Sequence, residues 1–382
     1  MTADLLQARI GTLQRRMIAL AIVGFGVLAL AATSRWDDCF HAYLTAYLFW
    51  LNISLGLTGL LMLLHVTGGA WGTTIRGVLE AGVRTLPLVG VLFVPIAFGL
   101  PSLYSWARPE LVAHSDMLAA KQLYLNPDFF CGRAIVYFLA WILVGWLLNR
   151  WSRAQQQTPS ERITRRLQRL SAVGLLVFGL TITFAAIDWG MSLEPDWYST
   201  IYGLLFISSE FVTGMAFAIL ISAWLARMAS LSDVITSDRL QDLASLLLSF
   251  LIIWAYMSFS QLIVIYAGDL PEEISWYRRR ISGGWQWIAI AQGVFDFAVP
   301  FLALLFRDVK RNPRPLAYVA VTVFGMQLLN DVWLVEPAFG PVRGIDLGLV
   351  AAAVVGLGGV WMTEFLRQLR QRPVVLIYER SS

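Results

Sequence analysis

The chain has 382 residues, of which 58% are hydrophobic and only 14% are charged, and its mean hydropathy is +0.65. Soluble proteins carry charged side chains at about a quarter of their positions, so this composition excludes a soluble enzyme or binding domain as the main part of the chain. A pI of about 9.2 is common among nucleic-acid-binding proteins, but here the basic residues are scattered among the predicted loops. We therefore expect a lipid bilayer as the environment and no nucleic acid partner.

Apolar residues cluster in ten runs, each of eighteen residues or more and long enough to cross about 30 Å of hydrocarbon. The runs predict an all-α polytopic membrane protein in which residues 1–382 form a single integral membrane domain. In chain order the predicted spans are 17–34, 41–66, 85–106, 129–149, 170–189, 197–226, 240–267, 284–306, 315–335 and 345–366.

The distribution of Lys and Arg predicts the orientation of the spans, because cytoplasmic loops of membrane proteins are enriched in both residues. With the N-terminus inside, the inside segments hold 21 of the 29 Lys and Arg, the outside segments hold seven, and Arg133 lies within a span. Both ends of the chain, 1–16 and 367–382, are therefore predicted to be cytoplasmic. The β-prone segment 374–379 is predicted either to lie along a partner or the chain's own inner loops, or to be a frayed terminus.

Two carboxylates stand in the middle of long apolar runs, Glu210 in the sixth span and Asp296 in the eighth. A carboxylate at this depth is costly unless it is protonated, paired or hydrated, and it usually has a function. Helical spacing places Glu210 on one face with Phe206, and Asp296 on one face with Pro300. We expect both carboxylates to face the protein interior, close enough for a link through water.

Further ionisable residues continue this pattern towards both membrane faces. We predict a proton path in which Asp188, Glu194 and Asp331 connect outward, while Asp242 and His65 connect inward. Each step of a proton relay needs a group that takes and releases a proton, or a water held by one. The alternative is that each residue caps, pairs or hydrogen-bonds locally to hold helices together, and this alternative is favoured for Asp188 and Asp242 at span ends.

The ligand types argue against a redox cofactor held by this chain. The three histidines, His41, His65 and His114, do not form a pair at one depth within the spans, as a transmembrane b-type haem requires. Two cysteines cannot hold an iron–sulfur cluster alone, and covalent-haem, Walker A and Rossmann motifs are absent from the sequence. We expect no cofactor and no metal. Cys39 and Cys131 are both predicted on the outer side, where a disulfide and two separate thiols are the alternatives.

Six segments, which together cover spans two to nine, have a distinctive sequence. They are GGAWG (68–72), LPSLYSWARP (100–109), KQLYLNPDFFCGRAIVYF (121–138), DWGMSLEPDWYSTIYGLLFISSEFVTGMA (188–216), WAYMSFSQLIVIYAGDLPEEISWYRRRISGGW (254–285) and FAVPFLALLFRDVKRNPRPL (297–316). In these segments the chain resembles the integral membrane subunits of the NrfD/polysulfide-reductase type. More narrowly, it resembles the ActF-type membrane subunits of bacterial alternative complex III, with LPEEISWY and LEPDWYSTIYG as specific motifs.

The resemblance implies ten helices, with helices two to five and six to nine in two four-helix bundles and two helices at the periphery. On this basis residues 41–149 and 170–335 lie within the bundles, and Glu210 and Asp296 face the interior of the second. The resemblance also implies a complex in the bacterial inner membrane that oxidises a quinol and reduces a cytochrome c or passes electrons to an oxidase. The implied partners are an iron–sulfur subunit, a multihaem cytochrome and a paralogous ten-helix subunit, in which the quinol pocket is generally placed.

We therefore predict a cofactor-free membrane subunit of a quinol:electron-acceptor oxidoreductase, which contributes a proton path and a scaffold to the respiratory chain. The first predicted bundle offers Asn52, His65 and Arg133 but no mid-depth carboxylate, whereas the second offers several. This division suits proton movement better than quinol chemistry.

Two alternatives belong to other classes of protein. One is a free-standing proton-coupled secondary transporter, which would also carry mid-membrane carboxylates. A transporter of this kind often has broken helices, and in this sequence only the glycines of span ten, Gly356, Gly358 and Gly359, suggest a place to unwind. The other alternative is a purely structural membrane anchor, in which the carboxylates only hold helices together.

Overall fold

The computed structural model describes residues 3–69, 71–226 and 236–371, and in these ranges helices are the only regular elements. Ten helical segments are long and apolar enough to cross a membrane. This confirms the predicted all-α polytopic class. Segment 374–379, for which a partner contact or a frayed end was predicted, lies outside the described residues.

The ten spans follow one another along the chain, and the longest connection between two of them is residues 99–126. In chain order they are α1 (Gln7–Ala32), α2 (Trp36–Thr67), α3 (Thr74–Phe98), α4 (Pro127–Gln157), α5 (Glu161–Leu193), α6 (Tyr202–Leu225), α7 (Ser237–Gly268), α8 (Trp285–Leu305), α9 (Pro313–Ala338) and α10 (Gly344–Arg370). Shorter helices in the connections include Pro109–Ala113, Asp116–Lys121, Pro271–Arg280 and Arg307–Arg311.

The third span differs from the sequence prediction of 85–106, because the helix that leads into α3 already begins at Trp71. The sequence prediction missed residues 71–84 because three charged side chains lower the mean hydropathy there. Two of them neutralise each other: Arg76 Nε donates to Glu80 Oε1 at 3.0 Å, one helical turn away. Glu80 also accepts a hydrogen bond from the hydroxyl of Ser152 on α4. The first bundle therefore contains a buried carboxylate that was not predicted from the sequence.

Helices α2 and α6 pack against each other at the centre of the molecule, where glycines allow a close approach. A Cβ atom at Gly56 of α2 would stand 1.9 Å from the carbonyl oxygen of Glu210, and one at Gly214 of α6 would stand 2.9 Å from the Cα of Gly56. Small residues at helix crossings are the usual means by which membrane helices gain van der Waals contact. This crossing joins the two halves of the chain.

Two rings of four helices lie on either side of this crossing. Helix α2 contacts α3 and α5, and α4 closes the first ring by contacts with α3 and α5. In the second ring α6 contacts α7 and α9, and α8 packs against both α7 and α9. Helices α1 and α10 pack along each other outside the rings, and α10 also contacts α2.

The glycines of α10 serve this packing. Helix α10 is continuous, so Gly356, Gly358 and Gly359 do not unwind it. A Cβ at Gly356 or Gly359 would meet the backbone of α1, and a Cβ at Gly358 would meet the Trp50 ring of α2. The three glycines would have favoured a transporter if they unwound α10, but here they form a helix-packing surface.

The beginning of α1 and the end of α10 lie on the same side of the molecule. The guanidinium of Arg370 donates to Gln7 at 2.7 Å and to Gln14 at 3.1 Å. We call this side the terminal face and the opposite side the far face. By the Lys and Arg distribution, the terminal face is the predicted cytoplasmic side.

Candidate functional site

Glu210 on α6 is buried at the junction between the two rings. Its side chain is 1% exposed, and its Oε2 has no hydrogen-bond partner among the described residues. It borders a cavity of about 10 Å³ that is also lined by Asn52 of α2, Phe206 of α6 and Trp189 of α5. A cavity of this size is at the lower limit for one water molecule. The carboxylate thus faces protein, and not lipid, as expected.

Asp331 on α9 is the carboxylate that lies within electrostatic range of Glu210. It is 2% exposed, and Asn52 Nδ2 donates to its two oxygens at 3.1 and 3.2 Å. Asn52 therefore lies beside both acidic groups. The three side chains form a polar cluster, contributed by α2, α6 and α9, within an apolar surrounding. We call Asn52, Glu210 and Asp331 the central cluster.

Asp296 on α8 forms a second polar group at similar depth. Gln327 Nε2 of α9 donates to Asp296 Oδ2 at 2.9 Å, and Ser209 Oγ of α6 donates to the amide oxygen of Gln327 at 2.6 Å. The other oxygen of Asp296 is buried without a partner among the described residues. The carboxylate therefore connects α8 to α6 through one amide.

Asp296 lies in a π-helical turn, Gln292–Ala298, that interrupts α8. Pro300 explains the interruption, because it has no N–H to donate to the carbonyl of Asp296 four residues earlier. Single π-helical turns occur frequently at functional sites. The proline and the carboxylate were visible in the sequence, but the change of helix type was not predicted.

Glu210 and Asp296 were predicted to lie close together because of their similar depth, but their side chains point in different directions. Asp296 connects to Ser209, and Glu210 follows Ser209 in the chain, about 100° further around α6. Glu210 therefore points towards α2 and α5, at the first ring, while Asp296 points into the second. Asn330, the residue before Asp331 on α9, places its Nδ2 3.5 Å from Ser209 Oγ and so lies between the two sets. The expected direct water link between Glu210 and Asp296 stays a prediction that this geometry does not favour.

A further buried carboxylate, Glu336, lies between the central cluster and the far face. Thr45 Oγ1 of α2 donates to Glu336 Oε1 at 2.6 Å, and Glu336 is 6% exposed. It lines a small cavity at the far face together with His41, Arg343 and Asp346, of which Arg343 is exposed. Glu336 was not predicted as a site residue, because the predicted ninth span ended at 335 and assigned it to a loop.

Thr45–Glu336 and Asn52–Asp331 are two successive polar contacts between α2 and α9. Thr45 and Asn52 are seven residues apart, which is two helical turns or about 10 Å along one face of α2. The carboxylates of α9 thus extend from the central cluster to the far-face cavity. A gap of this length requires water molecules between the two contacts for a proton to pass.

Aromatic side chains separate the central cluster from the terminal face. Phe217 lies seven residues beyond Glu210 on α6, and Phe324 lies seven residues before Asp331 on α9, so both are about two turns nearer the terminal face. The ring of Phe217 is 6.0 Å from that of Phe324, 5.3 Å from Trp361 and 5.1 Å from Phe365. These four rings form an aromatic block contributed by α6, α9 and α10.

The two residues predicted to connect inward lie apart from the series of buried acids Glu210, Asp331 and Glu336. Asp242 is exposed on α7. His65 lies near the end of α2 beside Arg76 and Glu80, and its Nε2 is buried without a hydrogen-bond partner among the described residues. Neither residue contacts the central cluster. The predicted inward connection therefore has no continuous set of side chains in the described structure.

Asp188 and Glu194, predicted to connect outward, are held in ion pairs. Asp188 is fully buried, and Arg133 donates to both of its oxygens at 2.8 Å while the Tyr137 hydroxyl donates at 2.8 Å. These donors come from α4, so the hydrogen bonds to the Asp188 carboxylate hold α4 and α5 together. This arrangement favours the local role that was the alternative for Asp188.

Glu194 accepts hydrogen bonds from two arginines of helix Pro271–Arg280. Arg279 Nη1 is 2.5 Å from Oε2, and Arg280 Nη1 is 2.7 Å from Oε1. Arg280 is 1% exposed and stacks on Trp276 at 3.7 Å. Burial lowers the pKa of the Arg280 guanidinium, and the Glu194 carboxylate opposes this. Two of the three arginines at positions 278–280 therefore form ion pairs within this chain.

A cavity of about 570 Å³ borders the second ring and is mainly apolar. It lies between α7, α8, α9 and helix Pro271–Arg280. Two buried amides, Gln261 and Gln292, line it. The side-chain nitrogen and oxygen of Gln261 and the side-chain nitrogen of Gln292 have no hydrogen-bond partner among the described residues. Gln292 is one turn from Asp296. Buried amides of this kind normally have a partner.

Tyr277 also lines this cavity, and its hydroxyl is close to the Gln261 side chain. Burial raises the pKa of Tyr277, whereas Arg280 and the Gln261 amide lower it. A primary amide has two donor and two acceptor positions. The single hydroxyl of Tyr277 therefore leaves most of the hydrogen-bonding capacity of the Gln261 amide unused. The cavity can therefore accept a polar group of a ligand.

Neither cysteine forms a disulfide bond. Cys39 and Cys131 are free thiols and are both half-buried, which agrees with the alternative of two separate thiols. Among the described residues, no three or more His, Cys, Asp or Glu side chains come together in a way that could hold a metal ion. The prediction that this chain binds no cofactor stays a prediction.

Comparison with known proteins does not identify the chain. No protein-family model matches it, and no curated protein matches it. The motifs of the sequence and the arrangement of the buried side chains are therefore the two grounds from which a function can be proposed.

Proposed function

We propose that this chain is a membrane subunit of a quinol:electron-acceptor oxidoreductase of the alternative complex III type, in the bacterial inner membrane with both termini cytoplasmic. The support is the set of motifs quoted above together with ten apolar helices. In this proposal an iron–sulfur subunit, a multihaem cytochrome and a paralogous ten-helix subunit carry the electrons. This chain provides a scaffold in the membrane and a path for protons.

The proton path is the line of buried acids from Glu210 through Asp331 to Glu336. One observation carries this proposal: three acidic side chains at the α2, α6 and α9 contacts are each no more than 6% exposed, and none is in an ion pair with a described residue. The structural carboxylates Asp188 and Glu194, in contrast, are each held by arginine. Neutral partners such as Asn52 and Thr45 leave an acid able to gain and lose a proton.

In this proposal the path connects mid-depth with the far face only. The aromatic block around Phe217 closes the route to the terminal face, and the small cavity beside Glu336 opens at the far face. Such a half-path would let protons that reach the central cluster leave on the predicted outer side. Asp296, with Gln327 and Ser209, would then exchange protons with the central cluster through Asn330 and water.

Isosteric amides test this path. In the intact complex reconstituted in vesicles, Glu210→Gln and Asp331→Asn should each slow proton-coupled turnover by roughly a hundredfold, the lower end of what a positioned proton-transfer group contributes. Asp242→Asn is the matched control, because Asp242 is exposed on α7, and it should leave turnover unchanged. Full proton stoichiometry in Glu210→Gln and Asp331→Asn would disprove the path and leave only the scaffold.

The partners are tested separately. A tag on this chain should purify it with a multihaem cytochrome, visible as a haem Soret band, and with an iron–sulfur protein. Purification of the chain alone, with proton-coupled uptake of a solute in vesicles, would instead support the free-standing transporter. Purification with the redox subunits but with unaltered turnover in every acid variant would support the purely structural anchor.

A second candidate function, quinol binding by this chain itself, is favoured by the 570 Å³ cavity. Its volume is within the usual range for small-molecule sites, about 300–1,000 Å³, and its apolar wall with a few amides is typical of them. Gly293 lines the cavity, and a Cβ there would meet nothing within 4 Å, so the side chain of Gly293→Leu would begin in open space at the cavity. Gly325→Leu on the surface of α9 is the matched control. Loss of quinol turnover in Gly293→Leu alone would support this function, and equal turnover in both variants would contradict it.

A further inference from the structure

A basic groove opens at the terminal face between α3 and α4, far from the proposed proton path. It is a cavity of about 360 Å³, and three arginines line it: Arg84 of α3, and Arg150 and Arg153 of α4. None of the residues that line the groove is acidic. A groove with this charge therefore fits an anion.

The three arginines differ in how they are held. Arg84 is fixed by contacts within the protein, since its Nε donates to the carbonyl of Glu80 at 3.0 Å and its Nη1 to the side chain of Gln368 at 3.3 Å. Arg150 and Arg153 are exposed and form no ion pair with any described residue. Two guanidinium groups are thus available to a ligand from outside the chain.

The other wall of the groove is apolar and continues onto the membrane-facing surface. Pro87 and Ile142 line it, as does Trp146, which lies 5.3 Å below the Arg150 guanidinium. Beyond the groove, Leu143 and Trp146 are 55% and 54% exposed on the outside of α4. A ligand in the groove therefore meets positive charge at the terminal face and an apolar surface towards the middle of the span.

We propose that this groove binds an anionic phospholipid, with its phosphate on Arg150 and Arg153 and an acyl chain along Trp146 and Ile142. Guanidinium groups attract a phosphate by their positive charge and donate charge-assisted hydrogen bonds to its oxygens. Basic pockets between membrane helices on the cytoplasmic side are suited to the head groups of anionic lipids. The lipid would seal α4 against α3 and, through Arg84 and Gln368, against the end of α10. None of these residues belongs to the proton path, so this site and the proposed function can fail independently.

The binding test uses the full-length protein in detergent, with phosphatidylglycerol and phosphatidylethanolamine as probes and mass spectrometry of the intact protein–lipid complex as readout. The double variant Arg150→Gln/Arg153→Gln should bind phosphatidylglycerol roughly 30-fold more weakly, from the usual contribution of two basic residues at an anionic surface. The control Arg166→Gln/Arg169→Gln removes the same charge from exposed positions of α5 on the same face and should keep wild-type binding.

Two further comparisons test the chemistry of the site. Arg150→Lys/Arg153→Lys retains the charge and should keep the preference for phosphatidylglycerol over phosphatidylethanolamine. The proposal is overturned if the glutamine pair binds as well as the wild type, if the control pair loses as much, or if the lysine pair is as weak as the glutamine pair. Displacement of the lipid by millimolar inorganic phosphate would also overturn it, because the site would then be one for a soluble anion.

Discussion

Asn52 donates one amide nitrogen to both carboxylate oxygens of Asp331, at 3.1 and 3.2 Å, and this contact joins α2 of the first ring to α9 of the second. Asn52 also lines the cavity that Glu210 borders. The neutral Asn52 side chain therefore lies beside two acids, Glu210 and Asp331, that belong to the other half of the chain. Because the amide brings no charge, Asp331 is hydrogen-bonded here without an ion pair to a described residue.

Removal of this amide should destabilise the protein. Asn52→Leu leaves the buried Asp331 carboxyl without a donor, and a buried polar group without its partner costs about 1–3 kcal/mol. The double variant Asn52→Leu/Asp331→Leu removes both partners and should recover most of that loss. The measurement is thermal unfolding of the wild type and the two variants in one detergent. A double variant less stable than Asn52→Leu would show that Asp331 has other stabilising contacts.

The α2–α6 crossing should not tolerate a methyl group. In Gly56→Ala the new Cβ would stand 1.9 Å from the Glu210 carbonyl oxygen, so the two helices must separate. Overpacking usually costs about 1–3 kcal/mol and occasionally more, and backbone on both sides leaves no side chain to move. Gly132→Ala on α4 is the control, because its Cβ would meet nothing within 4 Å, and it should gain up to about 1 kcal/mol of helix stability. Equal melting temperatures for the two variants would contradict the close approach of α2 and α6 at this crossing.

The π-helical turn around Asp296 should depend on Pro300. Pro300→Ala supplies an N–H to the Asp296 carbonyl, so the helix should become more regular and gain about 1 kcal/mol of stability. Regular winding would also turn Asp296 away from Gln327, and turnover of the complex should fall. Pro313→Ala is the control, since Pro313 is the first residue of α9 and its missing N–H has no helical acceptor. Hydrogen exchange of the amide at position 300 checks the first effect, and rapid exchange there would contradict it.

Much of the fold could be predicted from sequence because each span is an independent apolar run. The error at α3 has a specific cause. Arg76 and Glu80 neutralise each other across one helical turn, but a hydropathy average counts each of them as polar. Similarly, Glu336 was assigned to a loop because the predicted span ended one residue earlier. Charges near span ends are therefore the places where composition alone fails.

The candidate site was predicted only in part, because the relevant partners come from other helices. Burial of Glu210 and Asp296 followed from their depth, and the structure agrees. The ion pairs between acids and arginines could not be predicted, because their partners are far apart in sequence. Arg133 and Asp188 are separated by 55 residues, and Arg280 and Glu194 by 86. The direction of Glu210 depends on the crossing with α2, which no periodicity within α6 encodes.

The predicted orientation of the two faces can be tested with single cysteines. Thr158 at the terminal face and Ser282 at the far face are both exposed. In a Cys39→Ser/Cys131→Ser background, a membrane-impermeant maleimide should label Ser282→Cys in intact cells and Thr158→Cys only after permeabilisation. The reason is the excess of Lys and Arg on the terminal face. Labelling of Thr158→Cys in intact cells would reverse the orientation, and with it the direction of the proposed half-path.

The buried pair of Arg133 and Asp188 separates a structural acid from a proton-carrying one. Arg133→Gln leaves the fully buried Asp188 with the Tyr137 hydroxyl as its remaining described side-chain donor, so the loss of stability should reach about 3–5 kcal/mol. Asp188→Asn should cost less, because Arg133 keeps its hydrogen bond to the carbonyl of Tyr124 and its stacking on that ring and on Phe129. Thermal unfolding in detergent measures both. If Asp188 only holds helices together, proton release per electron in the assembled complex should be unchanged in Asp188→Asn, whereas Asp331→Asn should reduce it. A stable Asp188→Asn protein with reduced proton release would instead place Asp188 on the path.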